Sequence, residues 1–159
     1  MNPALQRLRA EIRFDREAFG RLVAELRAIE IGPGVGLAPQ RAQAAVALHH
    51  AYGSVESIMA RVSRYLEGDV LQGPDWHQAL LHAMSLDVEG VRPAVFSPAS
   101  AEVLRRVLGF RHFFRHAYAV ELDAARLAGL RDELVNAAPR IAAEIETLET
   151  FLAQVAASD

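Results

Sequence analysis

Apolar residues in the first part of the chain recur at alternating steps of three and four, which predicts one long amphipathic helix. Asn2 and Pro3 suit its N-cap and first helical position. The glycine- and proline-rich run 32–36 should end it. Asp15 interrupts the apolar stripe, and we expect it either to face solvent at a bend or to pair with a neighbouring arginine. The stripe consists of Leu5, Leu8, Ile12, Phe19, Leu22, Leu26 and Ile29.

The same spacing predicts a second helix over residues 40–66, whose stripe contains His49 and Tyr52. We expect a hydrogen-bonded core histidine and a core tyrosine with a satisfied hydroxyl at these positions. A third, shorter helix should begin after Asp75, with Gln78 completing a capping box, and run to about residue 86.

Ser97 and Pro98 suit the start of a fourth helix, and Asp123 suits the N-cap of a last one. Pro139 should kink or split that last helix. No segment alternates apolar and polar residues over the length that a strand needs. The pattern therefore predicts an all-α fold, an up-and-down bundle of about five helices in a single domain over residues 1–159.

Composition excludes several classes of protein. The chain is 52% apolar and 23% charged and contains no cysteine, so disulfide scaffolds, thiolate metal sites and cysteine nucleophiles are ruled out. No run approaches the roughly 18 apolar residues of a membrane span, and the first residues carry too many charges for a signal peptide. We expect a cytoplasmic protein with no membrane partner.

Positive charge is concentrated on the fourth predicted helix of a chain whose formal net charge is −3. Arg105, Arg106, Arg111 and Arg115 lie between Glu102 and Glu121 with no acid among them. Such a local field favours an anionic partner such as phosphate, with Arg115 as a phosphate contact. The alternative is a solvated helix face.

Five polar residues cluster at the end of this helix, at positions 111, 112, 115, 116 and 118. At 100° per residue they share one sector, while the phenylalanines between them face the other way. We therefore expect the polar groups to point away from the helix's own bundle. Arg111 and His116 are about 140° apart, so a cleft on the twofold axis of a homodimer would bring them together best.

These residue types suit metal-free cleavage of RNA. Histidine can take the proton of a 2′-hydroxyl or deliver one to the leaving 5′-oxygen, and arginine stabilises the phosphorus-centred transition state. His112 and His116 have the spacing of helical metal ligands, but the central glutamate of the zinc-protease pattern is missing and the arginines repel a cation. Before any family comparison, a purely structural network of arginine and histidine is an equal alternative.

Arg111, His116 and Tyr118 resemble the R-x4-H-x-Y signature of HepT-like toxins, part of the HEPN group of all-helical ribonucleases. His112 fills the polar position that typically follows the arginine. The resemblance extends through Trp76-His77, Arg92-Pro93 and the acidic residues after the motif, with the motif helix at about 98–118. The first two helices are similar only in pattern.

The resemblance implies a dimeric toxin that cuts RNA without a metal or another cofactor of its own. Arg111 and His116 would be catalytic, with His112 supporting them. The usual partner is a minimal nucleotidyltransferase antitoxin that uses ATP and magnesium to attach AMP to the motif tyrosine, here Tyr118. Two alternatives remain: a non-catalytic helical binding or acceptor subunit of a nucleotidyltransferase, and a helical dimerisation module with a structural motif.

Overall fold

Five α-helices make up the computed structural model, which describes residues 2–35, 38–68, 71–116 and 122–158, without the side chains of 114–116. The prediction of an all-α bundle of about five helices is confirmed, and the described residues contain isolated bridges but no strand. A π-helical turn, Ser63–Glu67, continues the second helix. The helices are α1 (Pro3–Ala28), α2 (Ala38–Val62), α3 (Trp76–Ala83), α4 (Pro98–His116) and α5 (Ala124–Ser158).

Side-chain caps fix the start of three helices where the sequence predicts them. Asn2 Oδ1 accepts hydrogen bonds from two N–H groups of the first turn of α1, at 3.1 and 3.3 Å. Asp123 does the same for α5 at 2.9 and 3.1 Å, and Ser97 Oγ accepts one from Ser100 in α4. Asp75 precedes α3 as predicted, but its side chain caps no N–H group, so the capping-box prediction is wrong there.

The core lies where α1, α2, α4 and α5 pack together, with α3 against α2 and α4. The predicted stripe of α1 is buried except that Val23 replaces Leu22. Asp15 is buried in this stripe, and Arg61 Nε donates to its carboxylate at 3.1 Å. A buried carboxylate needs such a partner, so Asp15 pairs with an arginine of α2 and does not face solvent.

Pro139 lies inside α5, which runs for 35 residues without being split. The proline lacks the N–H group that would bond to the preceding turn, which disfavours its position. Around it, Ala137, Ala138 and Ile141 are buried against the other helices. Burial of this apolar face keeps the helix in one piece.

Arg92 ties the segment after α3 to the end of α2. Its side chain is 0% exposed and donates from Nε to Glu67 Oε1 at 2.6 Å. Its remaining donors bind the carbonyl oxygens of Ala83, Leu86 and Pro93 at 3.0 to 3.2 Å. Because Ala83 is the last residue of α3 and Leu86 follows it by three residues, the arginine also fixes the end of that helix in place.

Candidate active site

Arg111 points into the helical bundle, so the prediction that it faces away is wrong. Its guanidinium donates from Nη1 to Glu56 Oε1 on α2 at 2.8 Å, and its side chain is 14% exposed. Arg111 continues the buried stripe of Leu104 and Leu108, seven and three residues earlier on α4. The whole helix therefore determines its direction, and the short aromatic cluster around it does not.

The direction of Phe113 is also mispredicted, in the opposite sense to that of Arg111. The helical wheel of the motif alone places it on the core face, yet it is 39% exposed. Arg126 of α5 lies over its ring, with the guanidinium carbon 5.6 Å from the ring centroid. Phe113 thus belongs to the outer face of α4, and Phe110, which is buried, belongs to the core.

Glu56 joins three helices through one carboxylate. Its second oxygen, Oε2, lies 2.6 Å from Nδ1 of His77 on α3, and its side chain is only 10% exposed. We call Arg111, Glu56 and His77 the carboxylate node. Sequence reasoning missed Glu56, although an acid four residues after buried Tyr52 and within the same helical stripe is the signal that could have revealed it.

Tyr52 forms the floor beneath the arginine of the node. The Arg111 guanidinium carbon lies 5.5 Å from the centroid of its ring, a cation–π contact. Tyr52 is buried as predicted, but its hydroxyl has no hydrogen-bond partner in the described part of the chain. Burial raises the pKa of Tyr52 well above its usual value; the Glu56 carboxylate adds to this rise, and Arg111 opposes it. The phenol is therefore neutral.

Two depressions border the carboxylate node, one lined by Glu56 and Arg111 and the other by His77. The α1–α2 groove has a volume of about 460 Å³ and is lined by Arg111 and Glu56 together with His49, His50 and Ser54. The α3–α4 cleft has a volume of about 200 Å³ and contains His77, Arg105 and His112. Arg111 and His112 are adjacent in sequence but line different depressions.

The remaining predicted site residues lie at the end of α4. The backbone of Arg115 and His116 belongs to that helix, but their side chains are outside the described part. Tyr118 lies outside the described residues altogether. Arg106 is not a free cation, since it pairs with Glu102 at 2.7 Å and with Glu133 at 2.6 Å. Glu102 of α4 and Glu133 of α5 thus offset part of the positive charge that the sequence suggests.

The described ranges contain neither a metal-binding cluster of side chains nor a membrane-spanning helix. No group of three or more histidine, aspartate or glutamate side chains there is arranged to hold a metal ion. No helix in this part of the chain is long and apolar enough to cross a membrane.

The fold and the node define an all-α protein whose fourth helix holds the arginine of an R-x4-H motif against a buried carboxylate. A family model described as HepT-like protein matches residues 43–152, and the chain belongs to this family. The match includes most of α2, where the sequence resembles the family only in pattern. Comparisons with curated proteins and with solved structures give no match. Membership of the family suggests a toxin–antitoxin ribonuclease.

Proposed function

We propose that the chain is the toxin of a toxin–antitoxin module and acts as a metal-independent endoribonuclease on RNA. The observation that carries this proposal is the position of Arg111. Its guanidinium is held at a fixed height over Tyr52 by Glu56, at the edge of an open groove. A catalytic arginine needs such preorganisation to stabilise charge that develops only in the transition state.

Arg111 retains donors for a substrate. Glu56 occupies Nη1, and the buried Nε donates to no acceptor among the described residues, so a substrate phosphate would meet the guanidinium at its Nη edge. The five donors of a guanidinium suit the planar binding of phosphate oxygens. Arg111 stabilises the negative charge on phosphorus in this proposal, and Arg115 contacts a flanking phosphate.

His116 transfers the proton in this mechanism, with His112 in support. When a 2′-hydroxyl attacks the adjacent phosphorus, one group must accept its proton and another must protonate the departing 5′-oxygen. Arg111 and His116 of two protomers would line one cleft on the twofold axis of a homodimer. No metal is required, because arginine stabilises the transition-state charge and histidine moves the protons.

Cleavage of RNA in the presence of a chelator tests this function. We expect the wild-type protein to cut RNA under these conditions and His116→Ala to reduce the rate by about 10²–10⁴-fold, the usual contribution of a general acid or base. His82→Ala is the matched control, because His82 is an exposed histidine on α3 that lines neither depression. Equal cleavage by wild type and His116→Ala would exclude the assignment of His116.

A non-catalytic binding or acceptor subunit of a nucleotidyltransferase is the second candidate. The ion pair between Arg111 and Glu56 favours it, because a neutralised arginine attracts an anionic substrate less strongly. Wild-type protein that cuts no RNA but is modified by its partner would establish this candidate in place of the first.

Control of the toxin is proposed to act at Tyr118. A cognate minimal nucleotidyltransferase antitoxin, using ATP and magnesium, transfers AMP to the tyrosine oxygen and releases pyrophosphate. The added phosphate and base block RNA by charge and bulk beside Arg111 and His116.

Intact mass after co-expression with such a nucleotidyltransferase measures this modification. We expect AMP-sized increments on wild type and none on Tyr118→Phe, because the phenolic oxygen is the acceptor. Tyr65→Phe, which changes a partly buried tyrosine of the π-helical turn, should keep the increments. If the mass increments persist in Tyr118→Phe, another residue is the acceptor of AMP.

A further inference from the structure

His77 lies in the α3–α4 cleft and is not part of the motif on α4. Its Nδ1 is 2.6 Å from Glu56 Oε2, and Glu56 also forms an ion pair with Arg111. An ionised carboxylate can only accept hydrogen bonds, so Nδ1 carries the hydrogen in this contact. In the neutral ring, the lone pair is then on Nε2, which is the form that a general base requires.

Two contacts fix the orientation of this ring. Glu56 holds one edge, and the indole of Trp76 stacks on its face, with ring centroids 3.6 Å apart and an interplanar angle of 29°. The side chain is 23% exposed, and it lines the cleft. A buried carboxylate that sets the tautomer and direction of a histidine is the arrangement by which serine hydrolases prepare their base.

The cleft around His77 has the size and charge for one phosphodiester. Its volume of about 200 Å³ is below the roughly 300 Å³ at which sites for drug-sized ligands begin. Arg105 and His112 of α4 lie on its wall, and Asp75 is the acid that lines it. Gly109 lies between these two α4 residues, and a Cβ atom placed there meets nothing within 4 Å, so the wall is open at this point.

We propose that His77 is the general base of RNA cleavage, oriented by Glu56 as a positioning residue. This inference rests on the proposed ribonuclease function and adds to it a catalytic residue from outside the motif. His112 lines the cleft, and His116 follows it by four residues, so the backbone of His116 lies one turn further along the same face of α4. If His77 in the cleft is the general base, His116 acts as the general acid that protonates the leaving oxygen.

The step balances without a further reactant. Nε2 of His77 removes the proton of the 2′-hydroxyl, and the 2′-oxygen forms a bond to the adjacent phosphorus. The bond between phosphorus and the 5′-oxygen breaks, and the 5′-oxygen takes a proton from His116. The products are a 2′,3′-cyclic phosphate and a free 5′-hydroxyl.

This role predicts a particular dependence on pH. The base must be unprotonated, so kcat/KM of the wild type should rise with pH on the acidic side of its profile. Among the described residues, the titratable and charged groups around His77 are Glu56, with Arg111 paired to it, and Asp75, Arg105 and His112 on the cleft.

His77→Asn tests the inference, because asparagine keeps an N–H donor near the position of Nδ1 and removes Nε2. We expect kcat to fall by about 10²–10⁴-fold, KM to change little, and the acidic rise of the pH profile to disappear. His82→Asn on the same helix is the matched control and should behave as wild type. Gly109→Leu, which fills the cleft with an apolar side chain, should raise KM at least tenfold and leave the shape of the profile unchanged.

The outcomes separate the inference from the proposed function. Wild type that cuts no RNA with chelator present overturns both. If wild type cuts RNA, and folded His77→Asn keeps its kcat or the same profile at a reduced rate, His77 is structural and only the inference fails. An unchanged KM in Gly109→Leu would place the substrate outside the cleft. That result would also overturn the inference about His77. Thermal unfolding of each variant establishes that the chain is folded.

Discussion

Glu56→Ala should destabilise the protein by about 3–5 kcal/mol, because it leaves Arg111 as a buried charge without its partner. The expected loss is large since both side chains are well shielded from solvent, at 10% and 14% exposure. Cleavage of RNA should fall by about 10²-fold even at temperatures where the variant is folded, because the guanidinium loses its position. Denaturant unfolding measures the first effect and chelator-resistant cleavage measures the second.

Glu102→Ala is the control for this prediction. Glu102 also forms an ion pair with an arginine of α4, but both partners lie at the surface. We expect no measurable change in unfolding or in cleavage, since exposed pairs contribute little. Equal unfolding midpoints for Glu56→Ala and Glu102→Ala would show that the node does not stabilise the fold.

Arg92→Leu should be the most damaging change outside the proposed site. The substitution removes the N–H groups that donate to the carbonyl oxygens of Ala83, Leu86 and Pro93. It also leaves the partly buried Glu67 without its partner. We expect a loss of about 3–5 kcal/mol, which corresponds to a fall in Tm of roughly 6–20 °C for a chain of this size. Differential scanning calorimetry measures the shift.

Two further variants sharpen this test. Arg92→Lys keeps the charge but lacks the fork that reaches Glu67 and the carbonyl groups together, so it should recover only part of the loss. Arg64→Leu, at an exposed position of the π-helical turn, should leave Tm nearly unchanged. If Arg92→Lys matched wild type, charge alone would explain the role of Arg92.

The sequence predicts the helices well because local rules determine where they begin. Asn2, Ser97 and Asp123 act as caps where expected, and these contacts span only two or three residues. Pro139 did not split α5, because burial of the neighbouring residues is a tertiary effect that the local rule omits. For the same reason the sequence left two alternatives open for Asp15, because its partner Arg61 is 46 residues away.

The site is predictable only in part, for a related reason. The spacing of Arg111 and His116 indicates the family, and a family model confirms that membership. The direction of Arg111 depends on the full stripe of α4, and a window of nine residues misplaces it. Glu56 and His77 are 55 and 34 residues earlier than Arg111, so no local pattern connects them to it. The signal for Glu56 that the sequence offers in advance is an acid on an otherwise apolar helical stripe.

The carboxylate node also has a consequence for the order in which the site is made. During synthesis, Glu56 emerges first, His77 second and Arg111 last, and each belongs to a different helix. A nascent chain that stops before α4 lacks Arg111, and a piece of the chain that begins after α2 lacks Glu56. For a proposed toxin, this arrangement confines the assembled site to chains in which α2, α3 and α4 have all folded together.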